Sequence, residues 1–235
     1  MSVIDFHSHV LPGIDDGSKD VAMSREMLAK IKASGVDTVV ATPHFYGNRR
    51  SLSEFLERRQ GAIERLFAEV PPTEMPELRF GAEVAFYSGL TKENDLHKLC
   101  IDGTHTLLLE MPFSVWTDFE IGEVTKLCLD HGFKVAIAHI ERYESFAPDE
   151  MMHQLLRLPV YIQINSGTLL PLRGRKKWLN MFKEGQAQLL GSDCHNLTSR
   201  PPNLAEGREM IRRKLGDGAL RKIDRTTAEL LEKDL

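Results

Sequence analysis

The chain has 235 residues, with 30 Lys+Arg against 34 Asp+Glu and a formal net charge of −4. That length suffices for one domain, 1–235, with a sizeable core, and the charge balance argues against a protein that holds nucleic acid by a basic excess. Three cysteines without C-x-x-C spacing argue against a disulfide framework, and neither a basic leader nor an apolar run of roughly 18 residues is present, so a soluble, cytoplasmic protein that is not membrane-inserted is expected.

The first apolar run, 3–7, reads as a strand ending in His-x-His. Alternation puts His7 and His9 on one face, where they suit a metal ion, although a stray surface pair fits the tripeptide equally well. A helix follows from about Ser18 to Gly35, then a strand at 38–42 that runs into Pro43 and His44. Ser51 and Glu54 form a capping-box pattern that opens a helix to about Val70. Pro71, Pro72 and Pro76 make a loop, and strands follow at 78–83 and 106–110. Thr117 and Glu120 repeat the capping box ahead of a helix ending near Gly132, with Glu123, Lys126 and Asp130 on its wet face and Val124, Leu127 and Cys128 towards the sheet. A strand at 135–139 precedes a helix near Pro148, and strands at 160–165 and 188–191 complete the series. The basic run Arg173, Gly174, Arg175, Lys176, Lys177 reads as a solvated loop or helix start, and 202–235 as a charged, helical part of an outer ring.

The strands are mostly continuous Val/Ile/Leu/Ala runs, as expected for strands covered on both faces. Seven of them alternating with helices predict a (β/α) barrel with seven strands; an open doubly wound sheet is the alternative. Polar residues mark every strand end: His7 and His9, His44, Glu83, Glu110, His139, Asn165, then Asp193 and His195. In a barrel these ends converge at one mouth, where such folds keep their active sites. Asp15 and Asp16 lie in the first loop. His97, His105, His131 and His153 fall on helices or loops and read as surface residues. So many imidazoles and carboxylates exceed one tetrahedral zinc and suit two or three ions, with manganese, iron or zinc all compatible. Clustered divalent ions serve phosphoester hydrolysis.

The segments DFHSHVLPGIDDGSKD, ATPHFYGN, GAEV, LLLEMPF, AHIERY and GSDCHNLTSRPP, in this order, resemble the polymerase-and-histidinol-phosphatase (PHP) superfamily. Within it they are most similar to the bacterial manganese-dependent tyrosine-protein phosphatases of capsule and exopolysaccharide synthesis. The resemblance spans residues 5 to 202. It implies a distorted, TIM-like (β/α)7 barrel and a trinuclear site. One ion takes His7, His9, Glu83 and Asp193; a second shares Glu83 and adds Glu110 and His139; a third takes Asp16, His44 and His195. Arg142 and Arg200 fall where the family binds phosphate, with Asp193 and His195 among the catalytic groups. The implied reaction is attack of metal-bound hydroxide on phosphorus. The implied substrate is a phosphotyrosine protein such as a bacterial tyrosine kinase of polysaccharide synthesis. Phe45 and Cys194 depart from the usual family residues.

Three further readings need the structure. Phe45, Tyr46, Phe86, Tyr87, Phe113, Trp116 and Tyr143 crowd the same loops and suit either a slot for an aryl ring or mutual packing. Cys194 and Arg200 match the C-x5-R pattern of thiol phosphatases, but Asp193 beside the thiol and five intervening residues without glycine argue against it. A small-molecule phosphatase of the same superfamily, acting on histidinol phosphate or a nucleotide, and a non-catalytic docking subunit are the competing functions.

Overall fold

The computed structural model describes residues 2–233. Among these, nine strand segments are present: β1 (Ile4–Ser8), β2 (Thr38–Ala41), β3 (His44–Phe45), β4 (Glu77–Phe80), β5 (Glu83–Ala85), β6 (Thr106–Glu110), β7 (Lys134–Ile137), β8 (Tyr161–Asn165) and β9 (Leu189–Gly191). Every pairing is parallel, in the orders β1-β2-β4 and β3-β5-β6-β7-β8-β9. The expected strand at 78–83 is broken, because Gly81 and Ala82 separate β4 from β5. Thr42 and Pro43 break its neighbour at the same level, and Pro43 has no N–H to give to a ladder. Each broken pair is one bent stave, so the sheet has seven staves. The ring closes where β1 meets the segment after β9. There Ser192 N–H donates to Asp5 Oδ1 (2.7 Å), Asp193 N–H to His7 O (2.8 Å) and His9 N–H to Cys194 O (2.9 Å). These bonds decide for a curled, barrel-like sheet over an open one.

Register in β1 slips by one residue: Asp5 pairs with Val39 but Ser8 with Ala41. Such a bulge re-aims side chains. Ile4 and Phe6 lie in an inner cluster with Val40, Leu108, Ala136 and Leu189. Ser8 is in register with Ala41, whose side chain belongs to the outer layer, so His7 and His9 on either side of it turn inward.

Seven helices surround the staves among the described residues: α1 (Val21–Ala33), α2 (Leu52–Glu69), α3 (Asp118–Leu129), α4 (Asp149–Leu155), α5 (Arg175–Glu184), α6 (Leu204–Leu215) and α7 (Asp217–Leu231). α1 starts later than expected because Asp20, not Ser18, accepts the first free N–H, that of Met23 (2.9 Å). The capping box at Thr117 and Glu120 is formed. Glu123 is not on the wet face: it is buried, and it accepts from Thr91 Oγ1 and Lys126 Nζ, each at 2.6 Å. The C-terminal region is more than outer ring. Leu230 and Leu231 of α7 join the inner cluster, and Thr106 Oγ1 donates to Leu230 O (2.8 Å), so this helix end plugs the bottom of the barrel. The part of the expected helical region at 234–235 lies outside the described residues. No described helix is long and apolar enough to cross a membrane.

Candidate metal centre

The top of the barrel is where the polar strand ends meet. Glu83 Oε2 lies 3.2 Å from His7 Nε2, 3.1 Å from His9 Nε2 and 3.0 Å from His44 Nδ1, and Glu83 Oε1 lies 2.6 Å from His139 Nε2. Glu110 Oε1 approaches the same His139 nitrogen at 3.5 Å. Asp193 Oδ1 is 3.5 Å from His7 Nε2 and 3.4 Å from His9 Nε2. Asp16 Oδ1 stands 3.4 Å from both His44 Nε2 and His195 Nε2. Three donor groups result, each with its atoms within 4.8 Å of one another: His7, His9, Glu83 and Asp193; His9, Asp16, His44 and His195; His44, Glu83 and Glu110. His44 reaches two groups through opposite ring nitrogens, and a single neutral imidazole serves one of them at a time. The four histidines expected at the surface are all exposed.

These donors fit divalent ions better than they fit each other. Glu83 Oε2, Asp193 Oδ1 and His195 Nε2 are buried and make no hydrogen bond, although charged or ring atoms lie close by. Isolated carboxylate oxygens in such a place are costly unless a cation meets them. The rings are oriented from behind. His9 Nδ1 is 2.8 Å from Asp15 Oδ2, His7 Nδ1 is 3.2 Å from Gln163 Oε1 and His195 Nδ1 is 3.0 Å from Asp193 O. Each acceptor places the proton on Nδ1 and leaves Nε2 free to ligate. His7 Nε2 and His9 Nε2 then face each other lone pair to lone pair across 3.1 Å, which a shared cation resolves. Burial alone would raise the Glu83 carboxyl, but the rings of His7, His139 and His44 hold it well below the usual range.

The backbone is bent to serve this cluster. His139 and Asp193 are the described non-glycine residues at positive φ, 29° and 52°. Such conformations cost roughly 1–3 kcal/mol each and persist where the surroundings impose them. Here Gln163 Oε1 accepts from His139 N–H (2.7 Å), and Asp193 N–H is tied to His7 O. Gly17 is required by close approach, since a Cβ there would stand 2.4 Å from His9 Cβ.

Arg142 Nη2 and Arg200 Nη2 lie 3.1 Å and 2.6 Å from the same oxygen, Asp193 Oδ2. Arg200 is presented by a turn in which Asn196 Oδ1 accepts from the N–H groups of Thr198, Ser199 and Arg200. Cys194 is fully buried in the outer layer, away from the donors, and burial pushes its thiol up to about 12. Of the loop aromatics, Phe45, Trp116 and Tyr143 are buried packing residues. Phe113 stacks on His139 (6.2 Å between centroids) and Tyr46 on His44 (5.2 Å), so these two flank the centre.

Sequence reasoning passed over three supporting residues, Gln163, Asp5 and Glu141, and read a fourth, Asp15, as a candidate ligand. Gln163 interrupts the aliphatic run of β8 two residues before Asn165 and on its face; its Nε2 donates to Asn165 Oδ1 (2.9 Å), whose Nδ2 donates to Asp193 Oδ2 (2.8 Å). That alternation was the available signal. Asp15 had been paired with Asp16 as a possible ligand, and it stands behind His9 instead. Asp5, pushed up to about 6 by burial, seams the barrel. Glu141 is half-buried and accepts from Asn165 N–H (3.1 Å) and Thr168 Oγ1 (3.0 Å), and nothing in its local sequence signals this.

Residues 3–232 match the family described as capsular polysaccharide synthesis, CpsB/CapC. The chain belongs to the CpsB/CapC family. Among its relatives, the tyrosine-protein phosphatase CpsB of Streptococcus pneumoniae is 29% identical over 227 residues, covering 91% of each chain. The tyrosine-protein phosphatase YwqE of Bacillus subtilis is 29% identical over 225 residues, covering 91% of this chain and 85% of its own. In three dimensions this CpsB/CapC chain superposes, with a TM-score of 0.83 and 24% identity over 99% and 96% of the two chains, on a structure from work on YwqE and CpsB described as unique metal-dependent tyrosine phosphatases. A phosphotriesterase homology protein from Escherichia coli shares the fold at a TM-score of 0.56 and 12% identity, covering 94% of this chain and 95% of its own.

Proposed function

We propose that this chain is a manganese-dependent phosphoric monoester hydrolase that removes the phosphoryl group from phosphotyrosine in proteins. One observation carries the reading: eight imidazole and carboxylate side chains from six strand ends, with Asp16 of the first loop, meet at one mouth, with two guanidinium groups on Asp193 beside them. In this reading one ion takes His7, His9, Glu83 and Asp193, a second Glu83, Glu110 and His139, and a third Asp16, His44 and His195. Mixed imidazole and carboxylate ligation supports manganese, with iron and zinc as the alternatives. When bound, the ions supply Lewis acidity to the phosphoryl oxygens and to water.

The chain's own residues do the rest. Asp15, Gln163 and the Asp193 carbonyl keep the imidazoles aimed. Arg142 and Arg200, with side chains 34% and 30% exposed, bind phosphoryl oxygens and offset their charge. Phe113 and Tyr46 offer faces to an aryl ester. No thiol nucleophile is used. The relatives' names and the family's place in capsular polysaccharide synthesis support a phosphotyrosine protein as substrate, such as a tyrosine kinase of capsule or exopolysaccharide synthesis.

The test compares kcat/KM for a phosphotyrosine peptide and for histidinol phosphate, with chelator and with added manganese. Chelation abolishes turnover, manganese restores it, and the peptide is preferred. Full activity in a preparation shown metal-free by elemental analysis, or preference for histidinol phosphate, sinks the proposal.

A further inference from the structure

One large cleft of the described structure lies away from the metal centre. It lies on the outside of the barrel, between α5 and the corner where α6 turns into α7, and has a volume of about 770 Å³. Its walls carry Arg175, Lys176, Lys183, Lys214 and Lys222, and no acidic side chain lines it. In a chain with a net charge of −4 this is a marked local asymmetry. The adjoining cleft, on the other flank of α5, has Glu144, Asp149 and Glu184 among its lining and so mixes the two signs.

The cations of the first cleft are largely uncommitted. Arg175 spends its guanidinium on the carbonyls of Leu170 and Pro171. Lys176, Lys183, Lys214 and Lys222 are exposed, and none forms an ion pair among the described residues. Between them runs an apolar floor of Leu179, Phe182, Leu215 and Ala219, of which Leu179 and Phe182 are only 6% and 7% exposed. At the rim, Leu172 lines the cleft and is 89% exposed, far more than any other large apolar side chain described. The basic run 173–177 thus does more than open a helix: its Arg175 and Lys176 form one end of a recessed strip, apolar below and positive above.

We propose that this cleft docks an acidic, amphipathic polypeptide segment of a partner protein. Acidic side chains on such a segment meet the four free ammonium groups. Its apolar side chains reach the floor and cover Leu172. Charge complementarity selects the sign of the occupant, and the recessed floor selects its shape. A flat anionic membrane meets the lysine heads but leaves the floor uncovered. A nucleic-acid strand finds little aromatic face for stacking, because Phe182 is recessed in the floor at 7% exposed and the nearby Trp178 is buried and lies under Lys177 in the adjoining cleft. The volume falls within the roughly 300–1,000 Å³ of ordinary binding sites, enough to take several side chains. The site stands apart from the proposed phosphotyrosine chemistry and does not depend on it.

The test is fluorescence anisotropy of the full-length protein with a fluorescein-labelled peptide that has a glutamate face and a leucine face when helical. A scrambled isomer, phosphatidylglycerol vesicles and a single-stranded RNA oligonucleotide are run beside it. The expected result is saturable binding of the amphipathic peptide that weakens about tenfold or more between roughly 0.05 and 0.3 M salt. Binding is lost in the Lys183→Glu, Lys214→Glu, Lys222→Glu triple variant and weakened severalfold in Leu172→Ser, while hydrolysis of p-nitrophenyl phosphate stays at the parent level. The corresponding triple Lys→Gln variant removes the charge without reversing it and also weakens binding. Equal binding by parent and triple variants, equal binding of the scrambled isomer, no binding at all, or preference for vesicles or RNA overturns the proposal.

Discussion

At the scale of single residues, Asp193 organises the mouth. One of its oxygens faces His7 and His9, and the other receives Arg142, Arg200 and Asn165. Arg142→Ala leaves that carboxylate with two partners, so metal content stays intact while kcat/KM falls roughly 10²–10³-fold, the usual loss for one preorganised donor. Arg142→Lys recovers only part, because a point charge does not reproduce the fork; unchanged kinetics in Arg142→Ala would make this arginine structural. Cys194 is the contrasting case. Its neighbours Asp193 and His195 face the donors while its thiol lies in the outer layer, so Cys194→Ser keeps most activity and iodoacetamide leaves the enzyme active. Asp193→Ala and His195→Ala are nearly inactive. A trapped phosphocysteine would reverse that assignment. Gln163 touches no substrate, yet its Oε1 holds both His7 Nδ1 and the strained His139 backbone. Gln163→Leu therefore weakens metal retention roughly 10–100-fold, read as manganese content after dialysis against a weak chelator. Parent-like metal content in that variant would limit Gln163 to packing.

Among the elements, the staves were visible as apolar runs ending in polar residues, and five of the seven lie unbroken where the sequence places them to within a residue or two. The staves at 38–42 and 78–83 are broken, and the second failed for a local reason. Gly81 and Ala82 are apolar or neutral and continue the run in sequence, while the backbone there bends so that β5 can pair with β3 and β6. The bulge in β1 is likewise silent in the sequence, since it shows only as a change of register against β2. α7 is a third case. Its apolar end reads as one more amphipathic face on an outer helix, and only its approach to Thr106 and the inner cluster reveals a plug. Leu230→Ala removes buried atoms from a place that outer helices do not fill. It is expected to cost roughly 2–5 kcal/mol, measured by urea unfolding, with the metal site still able to bind manganese. A loss below about 1 kcal/mol would mean that the plug collapses to fill the gap.

For the whole molecule, the donors tie distant parts of the chain together. His7 and His9 belong to the first stave and Asp193 and His195 follow the last, so an ion bound to them bridges the seam at which the ring closes. Ligands that bind only the folded state stabilise it by mass action, about 2.7 kcal/mol at a free concentration 100 times Kd. At roughly 2–4 °C per kcal/mol for a domain of this size, removing the bound metal by chelation lowers the thermal midpoint by roughly 5–10 °C, and re-addition restores it. Hydrogen exchange should speed up first in β1 and around 192–195, where the seam bonds lie. A midpoint indifferent to metal would show that the closure stands without it.

The sequence alone determined the stave count, the helices' starts at Ser51 and Thr117, and the set of polar residues that cluster, because each depends on hydrophobic period, local hydrogen bonding or the abrupt end of an apolar run. Only the tertiary structure decided what those residues do together. That Asp15 stands behind His9 rather than in front of a metal, that Glu123 is buried, and that Gln163 and Glu141 support the site all depend on contacts between residues far apart in the chain. The charge asymmetry of the α5 cleft has the same origin in part: the basic start of α5 is legible in the sequence, but only the fold sets Lys214 of α6 and Lys222 of α7 beside it.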